Sequence, residues 1–181
     1  MKKTYELQVA GLSRKLPIIQ ISDSLAIASF VILGDTELVC ASAKVLAERL
    51  PEVDVLVTAE AKGIPLVFEV SKILGMKNYI VARKSIKAYM DKPLVNEVES
   101  ITTNEKQMLC LDGNDVALVQ GKRVAIIDDV ISTGESLRAV EELVKKAGGQ
   151  IVVKAAILAE GDAAERKDIL FLEKLPLFPI K

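Results

Sequence analysis

Short apolar runs alternate with helical stretches along most of the chain. The runs predict strands and the longer stretches predict helices. The strands fall at residues 54–58, 78–82, 123–128 and 151–158, and the helices at 36–50, 64–74 and 135–147. Repeated strand-loop-helix units predict an α/β fold, in which a mostly parallel twisted sheet is flanked by helices. In such a sheet ligands bind at the carboxyl ends of the strands, so the chemistry is expected there.

The region between residues 83 and 122 departs from this alternation. Apolar and polar residues alternate at 95–98 and again at 108–111, which predicts a hairpin carrying a long mobile loop. No linker rich in Gly, Pro or Ser and no internal repeat interrupts the 181 residues. The chain is therefore predicted to form a single domain, 1–181, with residues 170–176 completing its sheet and core.

Composition narrows the possible chemistry. The chain has no histidine, which excludes His-based nucleophilic triads and His-ligated zinc sites. Its 24 basic and 25 acidic residues give a net charge of −1, so no general affinity for nucleic acid is expected. No apolar segment approaches the roughly 20 residues that span a membrane, and no secretory signal is evident, so a cytoplasmic protein without a membrane partner is expected. Cys40 and Cys110 lie in apolar stretches, and both are predicted to be buried, reduced thiols.

Residues 124–136 carry the decisive motif. Asp128 and Asp129 end the predicted strand, a turn of small hydroxyl residues and Gly134 follows, and a helix then begins. The free N–H groups of a helix N-terminus suit a phosphate, and a glycine allows close approach of the backbone. The two carboxylates are placed to accept hydrogen bonds from vicinal ribose hydroxyls, directly or through Mg²⁺ and its waters. A Walker-B strand would show similar acids, but no GxxxxGK[ST] loop accompanies this one.

This segment closely resembles the signature with which type I phosphoribosyltransferases bind 5-phosphoribosyl 1-diphosphate (PRPP). The resemblance implies that Asp128 and Asp129 hold the ribose, act in catalysis and bind Mg²⁺, directly or through water. It implies a site for the 5-phosphate formed by Val130, Ile131, Ser132, Thr133, Gly134, Glu135 and Ser136.

Two upstream stretches agree with this resemblance in order and spacing. Residues 58–63 resemble the pyrophosphate loop of adenine phosphoribosyltransferases, with lysine at the position where that family usually has arginine; lysine keeps the charge but loses the planar fork. Residues 83–87 resemble the family's Arg-Lys-x-x-Lys sequence. The implied pyrophosphate site comprises Ala61, Lys62, Gly63, Arg83, Lys84 and Lys87, of which Arg83 and Lys87 are also assigned to catalysis.

The resemblance covers roughly residues 15–175 and implies a purine phosphoribosyltransferase of the salvage type. Such an enzyme converts a purine base, here adenine by preference, and PRPP into the nucleoside monophosphate (AMP) and pyrophosphate with Mg²⁺. Residues 1–35 would form a hood over the base, and residues 83–107 would form a mobile catalytic loop. Relatives of this kind also lead us to expect a homodimer.

The stretches expected near the base depart from the family pattern. The Leu-Glu-Tyr-Gly element of adenine-specific members is missing from the hairpin, where either Glu99 or Glu105 is the candidate acidic replacement. Glu160 is either a structural or a base-side group, and residues 16–23 either contact the base or form a packed edge strand. Two alternatives stay open: an enzyme for xanthine, hypoxanthine-guanine or orotate, and a non-catalytic PRPP-sensing regulator.

Overall fold

A computed structural model describes residues 3–99 and 106–180 of the chain. The helices are α1 (Thr36–Arg49), α2 (Ile64–Ile73), α3 (Gly113–Val119) and α4 (Glu135–Lys146). The strands are β1 (Thr4–Val9), β2 (Leu12–Ser22), β3 (Leu25–Ala28), β4 (Val55–Ala59), β5 (Ile80–Ala82), β6 (Leu94–Glu99), β7 (Lys106–Leu111), β8 (Arg123–Ile131), β9 (Gln150–Glu160), β10 (Leu170–Leu175) and β11 (Leu177–Pro179). None of the helices described is long and apolar enough to cross a membrane.

The central sheet has five strands in the order β10-β9-β8-β4-β5. All four neighbouring pairs in it are parallel, which confirms the predicted α/β fold. Alternate residues of β8 serve the two faces, because successive side chains of a strand point to opposite sides. Ala125 and Ile127 pack with α1 and α2 on one face, and Val124 and Ile126 pack with α4 on the other.

A second, antiparallel sheet has the order β1-β2-β3-β11, and we call it the hood sheet. It joins the first residues of the chain to the last, because β11 pairs with β3 with Leu177 opposite Ile27. β10, the strand that precedes β11 in the chain, belongs to the central sheet, where Leu175 lies opposite Glu160. Residues 16–23 thus lie largely in an inner strand of the hood sheet, and the expectation that the C-terminal segment completes the central sheet is confirmed.

The acid-bearing strand is longer than predicted. β8 continues through Val130 and Ile131, because its ladder with β9 runs on until Ile131 lies opposite Ala159. The prediction that Asp128 and Asp129 end the strand is therefore wrong, and both acids sit within it. Backbone pairing with a long neighbour extends a strand past polar residues that would end it in isolation.

The predicted hairpin is confirmed, with β6 and β7 pairing from Leu94–Leu111 to Glu99–Lys106. It is anchored on α4 by the buried amide of Asn96, which donates to the Ala139 carbonyl at 3.3 Å and to Glu142 at 3.2 Å. The Asn96 oxygen accepts a hydrogen bond from Lys146. Of the two candidate acids in the hairpin, Glu105 lies outside the described residues, and so does the side chain of Glu99.

The two cysteines differ in environment. Cys110 is buried, as predicted, and burial raises the pKa of its thiol. Cys40 is exposed, so the prediction of a second buried thiol is wrong. Leu38, Val39 and Ser42 turn inward from α1, and the helical period leaves Cys40 on the solvent side.

Candidate active site

A cavity of about 630 Å³ opens at the carboxyl ends of β4, β8 and β9, where ligands bind in sheets of this kind. Three polar segments and one largely apolar wall surround it. The polar segments are the loop after β4, the two aspartates of β8, and the turn that leads into α4. The apolar wall, which we call the base wall, comprises residues 27–30 together with Val130, Glu160 and Leu175.

The aspartate pair lies at the floor of this cavity. Asp129 is only 2 % exposed, and its backbone N–H donates to Asp128 Oδ1 at 2.8 Å. Lys62 Nζ forms an ion pair with Asp129 Oδ2 at 3.1 Å. Burial and the neighbouring Asp129 carboxylate raise the pKa of Asp128 to about 7, because two carboxylates in one site resist simultaneous ionisation. The site is therefore short of positive charge.

The donor set of this pair suits a magnesium ion shared with a ligand. Asp129 Oδ2 is buried without a hydrogen-bond partner, although the charge of Lys62 lies near it. Among residues 3–99 and 106–180, no three His, Cys, Asp or Glu side chains converge to form a metal cage. Mg²⁺ prefers oxygen ligands and usually takes only one or two carboxylates, completing its shell with water and substrate phosphates. Asp128 and Asp129 fit that role.

The loop after β4 reaches the cavity through Glu60, Ala61 and Lys62. The Glu60–Ala61 peptide bond is cis. Gly63, by contrast, faces the protein interior, where an added Cβ would overlap the Thr58 hydroxyl. Of the three loop residues predicted to bind pyrophosphate, Ala61 and Lys62 line the cavity and Gly63 does not. Gly63 instead provides the room for the loop to pack against β4.

The basic stretch after β5 is divided by its contacts. Lys84 lines the cavity, and its backbone N–H donates to Glu60 Oε2 at 3.0 Å. Arg83 lies outside the cavity lining: its Nε is 3.2 Å from Glu60 Oε2 and its Nη1 donates to the Tyr89 hydroxyl at 2.7 Å. The Lys84 N–H and the Arg83 guanidinium lower the pKa of the Glu60 carboxyl. Glu60 thereby ties the two loops together.

Lys87 also lies outside the cavity lining, with Nζ donating to Ser85 Oγ at 2.6 Å. Of the three cations predicted to bind pyrophosphate in this stretch, the structure brings one to the cavity directly. Arg83 and Lys87 would need to exchange their present partners to reach a ligand there.

The turn before α4 forms the third polar segment. Ser132, Thr133, Gly134 and Ser136 line the cavity, as do the last strand residues Val130 and Ile131, whereas Glu135 does not. Gly134 has a φ of +84°, and an added Cβ there would lie 2.7 Å from Arg166 Nη1. The N-cap residue Gly134 makes no side-chain cap, and the Glu135 N–H donates to Thr133 Oγ1 at 3.4 Å. The next N–H groups of the first turn stay available to an anion.

Sequence reasoning identified only parts of the base wall: Val130 as a residue of the predicted 5-phosphate site, Glu160 as an open candidate, and residues 1–35 as a general hood. Burial raises the pKa of the Glu160 carboxyl, and the positive charge of Lys62 opposes that shift. An acid at the end of a long apolar strand was the available signal. The rest of the wall depends on pairing between distant segments, which no local pattern reveals.

Comparison with known proteins identifies relatives of this chain. A family profile described as "Phosphoribosyl transferase domain" matches residues 36–175. A hypoxanthine/guanine phosphoribosyltransferase of Methanotorris igneus is 36% identical over 110 residues, covering 61% of this chain and 56% of the relative. One of Methanococcus maripaludis is 33% identical over 142 residues, covering 78% of this chain and 70% of the relative. The chain thus spans little more than half the length of several of its relatives.

Solved structures show the same fold at lower identity. An adenine phosphoribosyltransferase of Rhodothermus marinus superposes with a TM-score of 0.66 at 22% identity, covering 95% of this chain and 94% of the other. One of Trypanosoma brucei, in complex with AMP, pyrophosphate and ribose-5-phosphate, has a TM-score of 0.59 at 20% identity, covering 79% and 67%. At such identities the likeness establishes the fold alone.

Proposed function

The chain belongs to the phosphoribosyl transferase domain family, and from that premise we propose that it transfers the phosphoribosyl group of PRPP to a purine base. The bond between C1 of the ribose and the diphosphate oxygen breaks, the bond between C1 and the base nitrogen forms, and the base nitrogen loses its proton. The products are a nucleoside monophosphate and pyrophosphate. The observation that carries the proposal is the single cavity shared by the aspartate pair, the Lys62 loop and the turn before α4.

Each polar segment has a separate task in this reaction. The turn from Ser132 to Ser136 binds the 5-phosphate through backbone N–H groups and hydroxyls. Asp128 and Asp129 accept hydrogen bonds from the ribose hydroxyls and steady the positive charge that develops on the sugar. The amides of Ala61 and Lys62, with the Lys62 ammonium, bind the departing diphosphate.

A magnesium ion held by Asp128 and Asp129 would neutralise diphosphate charge during bond cleavage. The protein residues do the remaining work by holding C1 and the base nitrogen in line, which makes the transfer effectively unimolecular. Arg83 and Lys87 stay candidates for pyrophosphate binding, provided that residues 83–107 rearrange when PRPP binds. A homodimer stays a prediction.

Two purine classes are candidates for the acceptor. The loop at residues 58–63 favours adenine by its resemblance to adenine-specific members, and the relatives that are 33–36% identical are named for hypoxanthine and guanine. Because the chain spans only part of several relatives, their substrates support the proposal without deciding it.

The test is to incubate the protein with PRPP, Mg²⁺ and each of adenine, guanine, hypoxanthine and xanthine, and to measure nucleotide and pyrophosphate. We expect at least one purine nucleotide, formed with equimolar pyrophosphate. A double variant, Asp128→Asn with Asp129→Asn, should abolish the reaction, and Asp23→Asn in an exposed turn serves as the matched control. PRPP binding without turnover of any base would favour the PRPP-sensing regulator instead.

A further inference from the structure

The position of the base within the cavity follows by elimination. The turn before α4 takes the phosphate, the aspartate pair takes the ribose, and the loop at 60–62 takes the diphosphate. The base wall belongs to the part of the lining that these three segments leave free. That part also includes Lys84 and hydrophobic residues of the hairpin and α4. A flat heterocycle fits such a wall, because most of it is apolar.

Glu160 is the only ionisable side chain of the base wall. Strand pairing holds it there: it ends β9 opposite Leu175 of β10, and two residues later Leu177 pairs with Ile27 in the hood sheet. The glycine that follows Glu160 packs so closely on Leu177 that an added Cβ would lie 2.6 Å from its side chain. The carboxylate therefore lies where the hood sheet meets the central sheet.

Within the described part of the chain, residues 3–99 and 106–180, no group donates a hydrogen bond to the Glu160 carboxylate. Burial raises its pKa, and the charge of Lys62 opposes that shift. Lys62 itself is paired with Asp129. A half-buried carboxylate that lines a cavity and accepts no hydrogen bond from the described residues can accept hydrogen bonds from a ligand.

We propose, on the basis of the function proposed above, that Glu160 selects the base by accepting two parallel hydrogen bonds from N1–H and the 2-amino group of guanine. Guanine presents these two donors side by side, in the geometry that a carboxylate accepts bidentately. Hypoxanthine offers N1–H alone. Xanthine places a carbonyl oxygen beside N1–H, and adenine places the N1 lone pair beside its 6-amino group, so both bring an acceptor against the carboxylate.

The order of preference is accordingly guanine, then hypoxanthine, with adenine and xanthine disfavoured. A site built to hydrogen-bond a ligand strongly rejects analogues that leave its buried groups unpaired. Burial raises the pKa of Glu160, and the positive charge of Lys62 offsets part of that shift and so favours the ionised form. This inference therefore opposes the adenine preference that the loop resemblance implies.

The decisive variant is Glu160→Gln, which keeps the shape of the side chain and replaces two acceptors by one acceptor and one donor. In the same pose an amide N–H donates to N1 of adenine, against which the carboxylate places only acceptors. We expect kcat/KM for guanine to fall by about 10- to 100-fold, because a bidentate contact contributes about 1–3 kcal/mol. Adenine should improve, while the KM for PRPP stays unchanged. Glu173→Gln, an exposed position on β10, is the matched control.

A ratio of guanine to adenine turnover that stays within about twofold of the wild-type value would overturn the inference. If the variant fails to fold, the wild-type protein can be tested with a base analogue instead. 1-Methylguanine lacks N1–H, so its turnover should be far slower than that of guanine. Equal rates for the two would overturn it as well. A wild-type protein that uses no purine base would instead remove the proposed function, so the two failures are distinguishable.

Discussion

The two ends of β8 treat charge in opposite ways. At its amino end, Arg123 donates to Asp54 through Nε at 3.1 Å and Nη2 at 2.8 Å, and its Nη1 lies 3.0 Å from Glu52. These bonds hold the pKa of Asp54 well below its ordinary range. At the carboxyl end, burial and a like charge raise the pKa of Asp128 instead.

The two ends differ in how their acids are paired. At the amino end, Glu52 and Asp54 both form ion pairs with Arg123, so each of these acids has a cation partner within the protein. At the carboxyl end, Asp128, Asp129 and Glu160 share the charge of Lys62. Excess negative charge of this kind destabilises the empty protein and is relieved by a metal ion or by ligand N–H groups, which is the usual signature of a binding site. One strand thus has paired charges at its amino end and incompletely paired charges at its carboxyl end, beside the cavity.

Asp128→Asn should break this contrast most severely. We expect kcat/KM to fall on the order of 100- to 1000-fold, because a ribose and metal contact is lost. The same variant should be more stable than the wild type by on the order of 1–3 kcal/mol at about pH 8, since it removes a buried charge beside Asp129. Steady-state kinetics and thermal melts of one preparation measure both effects.

The pH dependence of that gain has a definite sign. The folded protein raises the pKa of Asp128 from 3.8 to about 7, so the folded state binds the proton more tightly than the unfolded state does. The wild type therefore loses stability as the pH rises through this interval, and the gain from Asp128→Asn should shrink as the pH falls toward 4. A variant that is less stable than the wild type above pH 7 would contradict the like-charge account.

Gly63→Ala should have the next largest effect, because the added Cβ would overlap the Thr58 hydroxyl and displace the loop after β4. We expect on the order of a 10- to 100-fold loss of kcat/KM and a destabilisation of about 1–3 kcal/mol. Adding Thr58→Ala should restore part of both losses, with Thr58→Ala alone as control. Failure of this rescue would show that Gly63 contacts the ligand rather than the strand.

Arg123→Met should have the smallest effect on turnover and stability. It tests the amino end of β8, where the acids are paired. Its ion pairs are exposed, so only a small loss of thermal stability is expected, which should diminish as salt is added. Turnover should remain within about twofold of the wild type, because the residue lies at the opposite end of β8 from the cavity. A marked loss of turnover would show that the amino end is coupled to the site.

Local sequence was sufficient to predict much of the fold and the turn before α4. The apolar run before Asp128 predicts a covered strand, and the turn residues before α4 predict a helix N-terminus that faces an anion. These features depend on residues that are adjacent in the chain. The aspartate pair and Lys62 were likewise expected together, because the carboxyl ends of neighbouring parallel strands meet at one edge.

The remaining features depend on long-range pairing. β8 continues beyond Asp128 and Asp129 because β9 continues to pair with it. Ile27 lies at the cavity because β3 pairs with β11. The partners of Arg83 could not be predicted from the sequence either, because Glu60 and Tyr89 approach it from separate loops. A charge cluster in a sequence does not reveal which of its members already have partners.

The pairing of β3 with β11 also sets an order of assembly. The first three strands of the hood sheet leave the ribosome long before Leu177, which must lie opposite Ile27 to complete that sheet. Chains emerging during translation fold from the N-terminus, and exposed strand edges invite wrong partners. The edge of β3 therefore stays without its partner while residues 29–176 are made, and the cavity wall that contains Ile27 and Leu175 is completed only after them.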